Sequence, residues 1–419
     1  MIRSLTNYPA TMNTTTNDLS SLSPAIKLPA IGKLFYSLIK RMDRGSLTFT
    51  SPEGHTSLFR GTQPGPHADL RITDWAVASE AIKSAEIGVA ESYRDGRMFT
   101  SDLTAFLMLC VENEKALEAV FYGKPLVALL FRLKHLLRAN TKAQAKKNIF
   151  AHYDLSNAFY KLWLDETMTY SSALFDGDSA LPMADAQTAK YERILRVLDP
   201  KPGETILEIG CGWGGFAAYA AKSRGVKVTG ITLSNAQLAF AQKRIIDARL
   251  NHLVDLRLID YRDVEGQFDY VVSIEMFEAV GERYWSTYFN SVHDRLKPNG
   301  RAVIQSITIA EEVFPRYRET SDFIREYIFP GGMLAPIPRF IADAKKAGLR
   351  AGVPYRFGLD YAETLKWWLH RVNARVNEIK PLGFDENFLQ IWRFYLCYCE
   401  AGFRTGRTDV MQIELTRGS

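Results

Sequence analysis

The chain has 419 residues, 47% of them hydrophobic and 24% charged, which is enough apolar material for one large domain and a smaller one. Its formal net charge of +5 is modest and no recognised nucleic-acid-binding module accompanies it, so we expect no nucleic-acid partner. The longest apolar runs, 103–111 and 125–131, are shorter than the roughly 20 residues of a membrane-spanning helix, which indicates a soluble or peripheral protein. Four cysteines, Cys110, Cys211, Cys397 and Cys399, lack paired metal-site spacing, so we expect buried thiols and no metal.

The N-terminal part of the chain predicts a tail followed by a small domain. Residues 1–30 are rich in Ser, Thr and Asn without a continuous apolar core, so we expect a disordered tail that is neither a secretory signal nor a membrane anchor. Residues 31–123 predict an α+β domain: a helix over 31–42, a hairpin over 46–59, a turn at 62–66, a strand at 68–72 and a helix over 102–122. Lipid binding and homodimer formation are both compatible with such a domain, and its residues do not decide between them.

Residues 124–147 predict a basic amphipathic linker. Lysines and arginines are interleaved there with leucines, and no acidic residue intervenes. Two interpretations stay open. The segment is either a connecting helix that buries its leucines, or a helix that contacts the anionic surface of a membrane.

A glycine-rich turn comes after an apolar run at 204–209, which is typical of a buried parallel strand. Gly210, Gly212 and Gly214 let the backbone turn sharply and approach a ligand. By itself this is either a cofactor site or only a tight strand-to-helix connection. Further strands at 226–234, 255–260, 268–277 and 302–309 alternate with helices, apart from the adjacent third and fourth strands, and predict an α/β fold with a doubly wound, Rossmann-like sheet.

The cofactor prediction depends on the residues at the carboxyl end of each strand. A dinucleotide-binding fold usually has an acidic residue after its second strand, whereas this chain has Thr232 and Leu233 there, which weakens a nicotinamide role. The spacing of Glu208 with the three glycines resembles the first motif of class I S-adenosylmethionine (SAM)-dependent methyltransferases. The group Asp260, Tyr261 and Arg262 lies where such enzymes place adenine contacts. This resemblance implies SAM as cofactor and a methyltransferase core over 148–419.

Longer motifs then occur in order along that core. They are HYDLSNAFY (152–160), WLDETMTYS (163–171), GITLSNAQ (230–237), SIEMFEAVG (273–281), FIREYIFPGG (323–332) and AGFR (401–404). Over residues 148–416 the chain resembles the cyclopropane-fatty-acyl-phospholipid synthases. The resemblance implies methyl transfer from SAM to the cis double bond of unsaturated acyl chains in membrane phospholipids, by a cytoplasmic enzyme peripheral to the inner membrane face.

The resemblance also implies roles for individual residues. The SAM-binding positions are Tyr170, Ser171, Glu208, Gly210, Gly212, Gly214, Thr232, Leu233, Gln237, Asp260, Tyr261 and Arg262. Glu278 falls on the carboxylate that holds a catalytic bicarbonate. His152 and Tyr153 match the first motif, and His152 either makes a structural hydrogen bond or contributes to the site.

Several positions depart from the family pattern. Ser172 replaces a cysteine, Gln305 a histidine and Ala279 a common histidine, and Leu369 is interpreted as replacing a tyrosine, with His370 beside it as a substitute. We therefore assign Glu278, Ser172 and Gln305 to the catalytic group, with bicarbonate binding in doubt. If the base is altered, the product is a methylated or methylene-bearing chain, and otherwise a cyclopropane.

Two other functions stay open. One is a small-molecule methyltransferase that acts on amines or similar substrates, and the other is a module that binds SAM or lipid without catalysis. The C-terminal aromatics either stabilise a substrate cation through their ring faces or pack the core. They are Tyr327, Phe329, Trp367, Trp368, Trp392 and Phe394.

Overall fold

The computed structural model describes residues 28–117 and 155–418. The basic segment 124–147 and the two residues His152 and Tyr153 lie outside this part of the chain, as does nearly all of the tail. Within the described residues, no helix is both long and apolar enough to cross a membrane.

The described N-terminal part contains a four-stranded sheet of order β2-β1-β3-β4 together with helices. Its elements are α1 (Ala30–Ile39), β1 (Arg44–Thr50), β2 (Thr56–Arg60), β3 (Gln63–Ile72), α2 (Ala76–Arg94), β4 (Met98–Phe99) and α3 (Leu103–Glu112). The hairpin has the expected antiparallel pairing, with Leu47 opposite Phe59. The predicted turn at 62–66 is mostly strand, because Gly45 and Gly65 let β3 approach β1 more closely than a Cβ would allow.

The C-terminal part is built on an eight-stranded sheet of order β10-β12-β9-β8-β5-β6-β7, with β11 paired to β12. Its strands are β5 (Thr205–Ile209), β6 (Lys227–Thr232), β7 (Val254–Leu258), β8 (Phe268–Ile274), β9 (Leu296–Ile309), β10 (Leu349–Ala351), β11 (Tyr355–Arg356) and β12 (Thr408–Arg417). Strands β5 to β9 are mutually parallel, whereas β12 runs antiparallel to β9. The doubly wound α/β prediction is confirmed.

Helices cover both faces of this sheet. They are α4 (Asn157–Trp163), α5 (Met183–Leu198), α6 (Gly215–Arg224), α7 (Asn235–Asp247), α8 (Trp285–Arg295), α9 (Phe314–Glu319), α10 (Ile337–Lys346), α11 (Gly358–Ala374), α12 (Val376–Ile379) and α13 (Glu386–Arg404), with a π-helical turn at Ile324–Ile328. One apolar layer includes Ile206 and Phe216, and the other includes Val271 and Phe277. The long helix α13 packs against α11 and against α2 and α3 of the N-terminal part.

Candidate active site

The glycine-rich turn joins the carboxyl end of β5 to the N-terminus of α6. Gly210, Gly212 and Gly214 have φ angles of +85°, +51° and +77°, a left-handed conformation that favours glycine. A Cβ built on Gly212 would meet nothing within 4 Å, so the space above the turn is open. A helix N-terminus beside open space is suited to polar or negatively charged parts of a ligand.

Glu208 lies in β5 directly before this turn. Its side chain is almost fully buried, it accepts a hydrogen bond from the backbone of Ala217, and its Oε2 has no partner among the described residues. Burial raises the pKa of its carboxyl to about 8. The turn is therefore bordered by a carboxyl group with one uncommitted oxygen.

The other predicted cofactor residues lie after β6 and β7 at the same edge of the sheet. Thr232 Oγ1 donates to Gln237 Oε1 at 3.0 Å, and Leu233 is 71% exposed. Asp260 accepts from the backbone and guanidinium of Arg262 at 2.7–3.0 Å. The fold thus aligns these side chains along the edge that carries the glycine-rich turn.

Helix α4 is joined to the glycine-rich turn by a side-chain hydrogen bond. Asn157 accepts a hydrogen bond from Trp213 Nε1 at 2.7 Å and donates to the carbonyl of Ala236 at 2.9 Å. Tyr170 shares a hydrogen bond of 2.7 Å with Tyr395 of α13, and both are packed among aromatic rings. The segment that the motifs singled out therefore connects the turn to the aromatic core.

Glu278 lies just after β8. Its Oε1 accepts from Ser306 Oγ at 3.0 Å and from the backbone of Ile307 at 2.5 Å, while its Oε2 is buried without a partner among the described residues. Burial, together with the nearby charge of Glu275, raises the pKa of the Glu278 carboxyl to about 8. One oxygen is fixed and the other is left uncommitted.

Glu275 is a second carboxylate here, and it was missed in the sequence. Its Oε1 accepts from the backbone of Ser172 at 2.9 Å and from Gln305 Nε2 at 2.7 Å, and its Oε2 accepts from the Tyr361 hydroxyl at 2.6 Å. Its φ is +50°, an unusual value for a non-glycine residue. Backbone strain of this kind occurs at functional sites, where surrounding contacts maintain it. Its place just after an apolar strand was an available signal.

Met276, which lies between Glu275 and Glu278 in the chain, packs closely against the glycine-rich turn. A Cβ built on Gly210 would lie 2.9 Å from Cγ of Met276, the residue directly after Glu275. The acidic groups after β8 therefore adjoin the predicted cofactor turn.

Gln305 and Ser172 both hold Glu275, in different ways. Gln305 is fully buried, donates to Glu275, and accepts from Gln412 Nε2 at 2.9 Å. Ser172 uses its backbone for Glu275, while its hydroxyl donates to the carbonyl of Ala173 at 2.8 Å. A direct chemical role for either side chain stays a prediction.

Helix α11 does bring a tyrosine hydroxyl to the site. Tyr361 lies about two helical turns before Leu369 and donates to Glu275. Leu369 is half-buried against the apolar core, and His370 is exposed. Helix α11 therefore presents the Tyr361 hydroxyl to Glu275, while the replacement of a family tyrosine by Leu369 stays a prediction. The local sequence does not show which aromatic residue of this helix faces the carboxylates.

The aromatic residues divide by exposure. Trp368, Trp392 and Phe394 are fully buried in the core, whereas Phe329 is 46% exposed and packs edge-on against Tyr395. Tyr170 contacts Trp368 with ring centroids 5.3 Å apart. The site therefore consists of buried carboxyl groups beside the open glycine-rich turn and a set of packed aromatic side chains. We call this set, Tyr170, Trp368 and Tyr395, the aromatic wall. The site can hold a polar cofactor, exclude water and accept a proton.

Comparisons with known proteins identify the family of this chain. Residues 140–413 match the family described as mycolic acid cyclopropane synthetase. The chain is 39% identical over 352 residues to tuberculostearic acid methyltransferase UfaA1 of Mycobacterium tuberculosis, which covers 82% of this chain and 81% of that protein. It is 33% identical over 356 residues to the cyclopropane-fatty-acyl-phospholipid synthase of Escherichia coli K12, which covers 84% and 88%.

A solved structure shares the fold of the C-terminal part. Mycolic acid cyclopropane synthase CmaA1, crystallised in complex with SAH and CTAB, matches with a TM-score of 0.60 at 31% identity, over 64% of this chain and 97% of that one. These matches confirm the resemblance inferred from the motifs. The chain belongs to the mycolic acid cyclopropane synthetase family, enzymes with a class I SAM-dependent methyltransferase core.

Proposed function

We propose that this enzyme transfers a methyl group from SAM to the cis double bond of unsaturated acyl chains in membrane phospholipids. The observation that carries the proposal is Glu275, a carboxylate fixed by Ser172, Gln305 and Tyr361 beside the glycine-rich turn. An alkene is a weak nucleophile, and its methylation leaves a cation that must lose a proton. A buried base beside a cofactor turn meets both requirements.

The residues of the turn fit SAM. Gly212 leaves open space where a side chain would obstruct a ligand, and Glu208 Oε2 is a buried acceptor without a partner among the described residues. Asp260 and Tyr261 stand after the third strand, where the adenosine end would lie. When bound, SAM supplies an electrophilic methyl group, so that the alkene electron pair forms a C–C bond as the C–S bond breaks.

Glu275 is proposed to accept the proton that the methylated chain then loses. Burial raises the pKa of Glu275, which makes it a stronger base than an exposed carboxylate. Because this carboxylate is part of the chain and occupies the hydrogen-bonding groups Gln305 and Tyr361, a bound bicarbonate is not required in the proposal. Glu278, with one uncommitted oxygen, is proposed to face the same substrate cation.

The product is proposed to be a methylene-bearing chain, or a methylated chain that keeps a double bond, instead of a ring. In both cases a hydride first shifts to the cationic carbon, so that the positive charge moves to the carbon that carries the new methyl group, and a proton is then lost. The altered base group, with Glu275 held by Ser172 and Gln305, supports this proposal, as does the higher identity to a tuberculostearic acid methyltransferase than to a cyclopropane synthase. The aromatic wall that includes Tyr170 and Trp368 would shield the cation from water.

The proposal includes a membrane setting. The enzyme would work in the cytoplasm at the inner membrane face, where the basic segment 124–147 would meet anionic headgroups. The name of the Escherichia coli relative, which includes phospholipid, supports this substrate. The proposal also includes a homodimer formed through the N-terminal domain.

The test is gas chromatography and mass spectrometry of membrane fatty acids from a host that expresses the enzyme and is fed methyl-labelled methionine. We expect labelled methyl-branched or methylene chains, and loss of at least 100-fold in the Glu275→Gln variant, because an amide cannot accept the proton. Glu192→Gln is the matched control. The Glu192 carboxylate of α5 accepts hydrogen bonds from Tyr219 and Arg224 of α6, and it is not part of the group that holds Glu275. A labelled cyclopropane would overturn the product assignment, and the absence of labelled lipid would overturn the substrate.

A further inference from the structure

Lys190 of α5 is a buried cation that the proposed chemistry has not yet used. Its side chain has no exposed surface, and its Nζ donates to Ser171 Oγ at 2.5 Å. Among the described residues, no carboxylate lies within 4.0 Å of it to form a salt bridge. A lysine is almost never fully buried without a charged partner, so its position calls for a function.

Ser171 and Ser172 connect Lys190 to Glu275. Ser171 accepts the hydrogen bond from Lys190, and the backbone of the next residue, Ser172, donates to Glu275 Oε1 at 2.9 Å. The ammonium and the carboxylate therefore flank the same two residues in a dry interior. Because the interior has a low dielectric constant, the charge of Lys190 acts on Glu275 across these two residues.

We propose that Lys190 is a positioning residue for Glu275: its ammonium charge keeps the carboxylate in the ionised, basic form, and Ser171 holds that ammonium in place. This inference rests on the proposed role of Glu275 as the base. Its chemistry is electrostatic, since Lys190 neither touches the substrate nor transfers a proton in the proposal.

Among the charges near Glu275, that of Lys190 is the one that favours the ionised carboxylate most. Burial raises the pKa of Glu275, and the charge of Lys190 is the largest influence that opposes this rise, ahead of the hydrogen bond from Tyr361. Burial lowers the pKa of Lys190 to about 7, against the charges of Glu275 and Asp165. Glu278 is a further negative group close to Glu275.

The neighbouring polar groups Arg193 and Tyr170 do not supply a positive charge to Glu275 in place of Lys190. Arg193, one turn along α5, bonds Gln412 and stacks on Tyr355 instead. Tyr170 is neutral and bonds Tyr395.

The experiment compares the pH dependence of kcat/KM for lipid methylation in the wild type and in Lys190→Met. Activity rises with pH as the base loses its proton, and removal of a nearby positive charge raises the pKa of Glu275. We therefore expect the acid limb to move up by about 1–3 pH units. Ser171→Ala removes the hydrogen bond but keeps the charge, so its acid limb should move less. A folded Lys190→Met enzyme with an unmoved acid limb overturns the inference.

A second measurement does not depend on catalysis. Below about pH 7, where Lys190 of the wild type is protonated in the folded and the unfolded chain, the raised pKa of Glu275 in Lys190→Met should make the free energy of unfolding fall more steeply with rising pH than in the wild type. Glu275→Gln in the same background should remove that excess in this pH range. If Lys190→Met does not fold, Lys190→Gln serves both measurements. An inactive wild type with this stability pattern overturns the proposed function alone, whereas an active enzyme without the pattern overturns the role of Lys190.

Discussion

Three buried glutamates lie at one edge of the sheet. Burial raises the pKa of Glu208, Glu275 and Glu278, to about 8 for the first and third. An environment that excludes water from a reactive alkyl cation also increases the proton affinity of a carboxylate inside it. Burial of these side chains thus raises their proton affinity, and in the proposed reaction the same surroundings would shield the cation.

Glu208→Gln is expected to reduce the pH dependence of stability. The pKa of Glu208 is raised in the folded state to about 8, from an ordinary value of 4.5, so the folded protein retains a proton that the unfolded chain has lost. Stability of the wild type therefore falls as pH rises through this window, by at most about 1.4 kcal/mol per pH unit for this group. Urea denaturation at about pH 5 and about pH 8 should show the variant gaining relative stability at the higher pH. A constant difference contradicts this prediction.

At the scale of elements, short side-chain contacts join α4 to the glycine-rich turn and to α7. Asn157 contacts Trp213, which lies between two glycines of the turn, and Ala236 in the first turn of α7. Glycines give the turn freedom to adopt left-handed φ angles, and that freedom has an entropic cost that outside contacts must offset. Helix α4 provides such contacts.

Asn157→Ala should therefore weaken SAM binding. Two hydrogen bonds are lost, and the buried indole nitrogen of Trp213 loses its acceptor, which costs about 1–2 kcal/mol, equivalent to roughly 5- to 30-fold in Kd. Isothermal titration calorimetry with SAM measures the change. Asn290→Ala on the exposed face of α8 is the control and should bind as the wild type does. Equal affinities for the two variants would show that α4 does not support the turn.

At the scale of the whole molecule, the N-terminal part is joined to the catalytic part by polar contacts around α13 and the π-helical turn. Thr104 donates to Glu400 at 3.0 Å, and Tyr327 donates to Glu91 at 2.6 Å. Glu114 accepts from Arg316 at 3.0 Å and also from Arg407. Tyr327 is two residues before Phe329, which contacts Tyr395 at the aromatic wall. The small domain thus reaches the surroundings of the site.

Glu114→Gln is expected to destabilise the protein by about 1 kcal/mol, because the partly buried Arg407 loses its charged partner. Asp247→Asn removes an exposed pair with Lys243 and should have almost no effect. Chemical denaturation of both variants tests the difference. Equal stabilities would mean that the Glu114 contacts do not hold the two parts together.

The parallel sheet, the glycine-rich turn and the family were predictable from local patterns. Apolar runs of strand length, glycines directly after the first strand, and motifs in order along the chain are all visible in sequence. Strands β10, β11 and β12 were not predicted. β12 pairs antiparallel with β9, β10 and β11, and these pairs join segments that are distant along the chain.

The composition of the base group required the tertiary structure. Glu275 receives hydrogen bonds from Ser172, Gln305 and Tyr361, which are separated from it by 103, 30 and 86 residues along the chain. No local pattern shows which side chains meet across such separations, so the sequence alone does not place Glu275 and Tyr361 in one hydrogen-bonded group. Burial, which raises the pKa of Glu275 and lowers that of Lys190, likewise exists only in the folded chain.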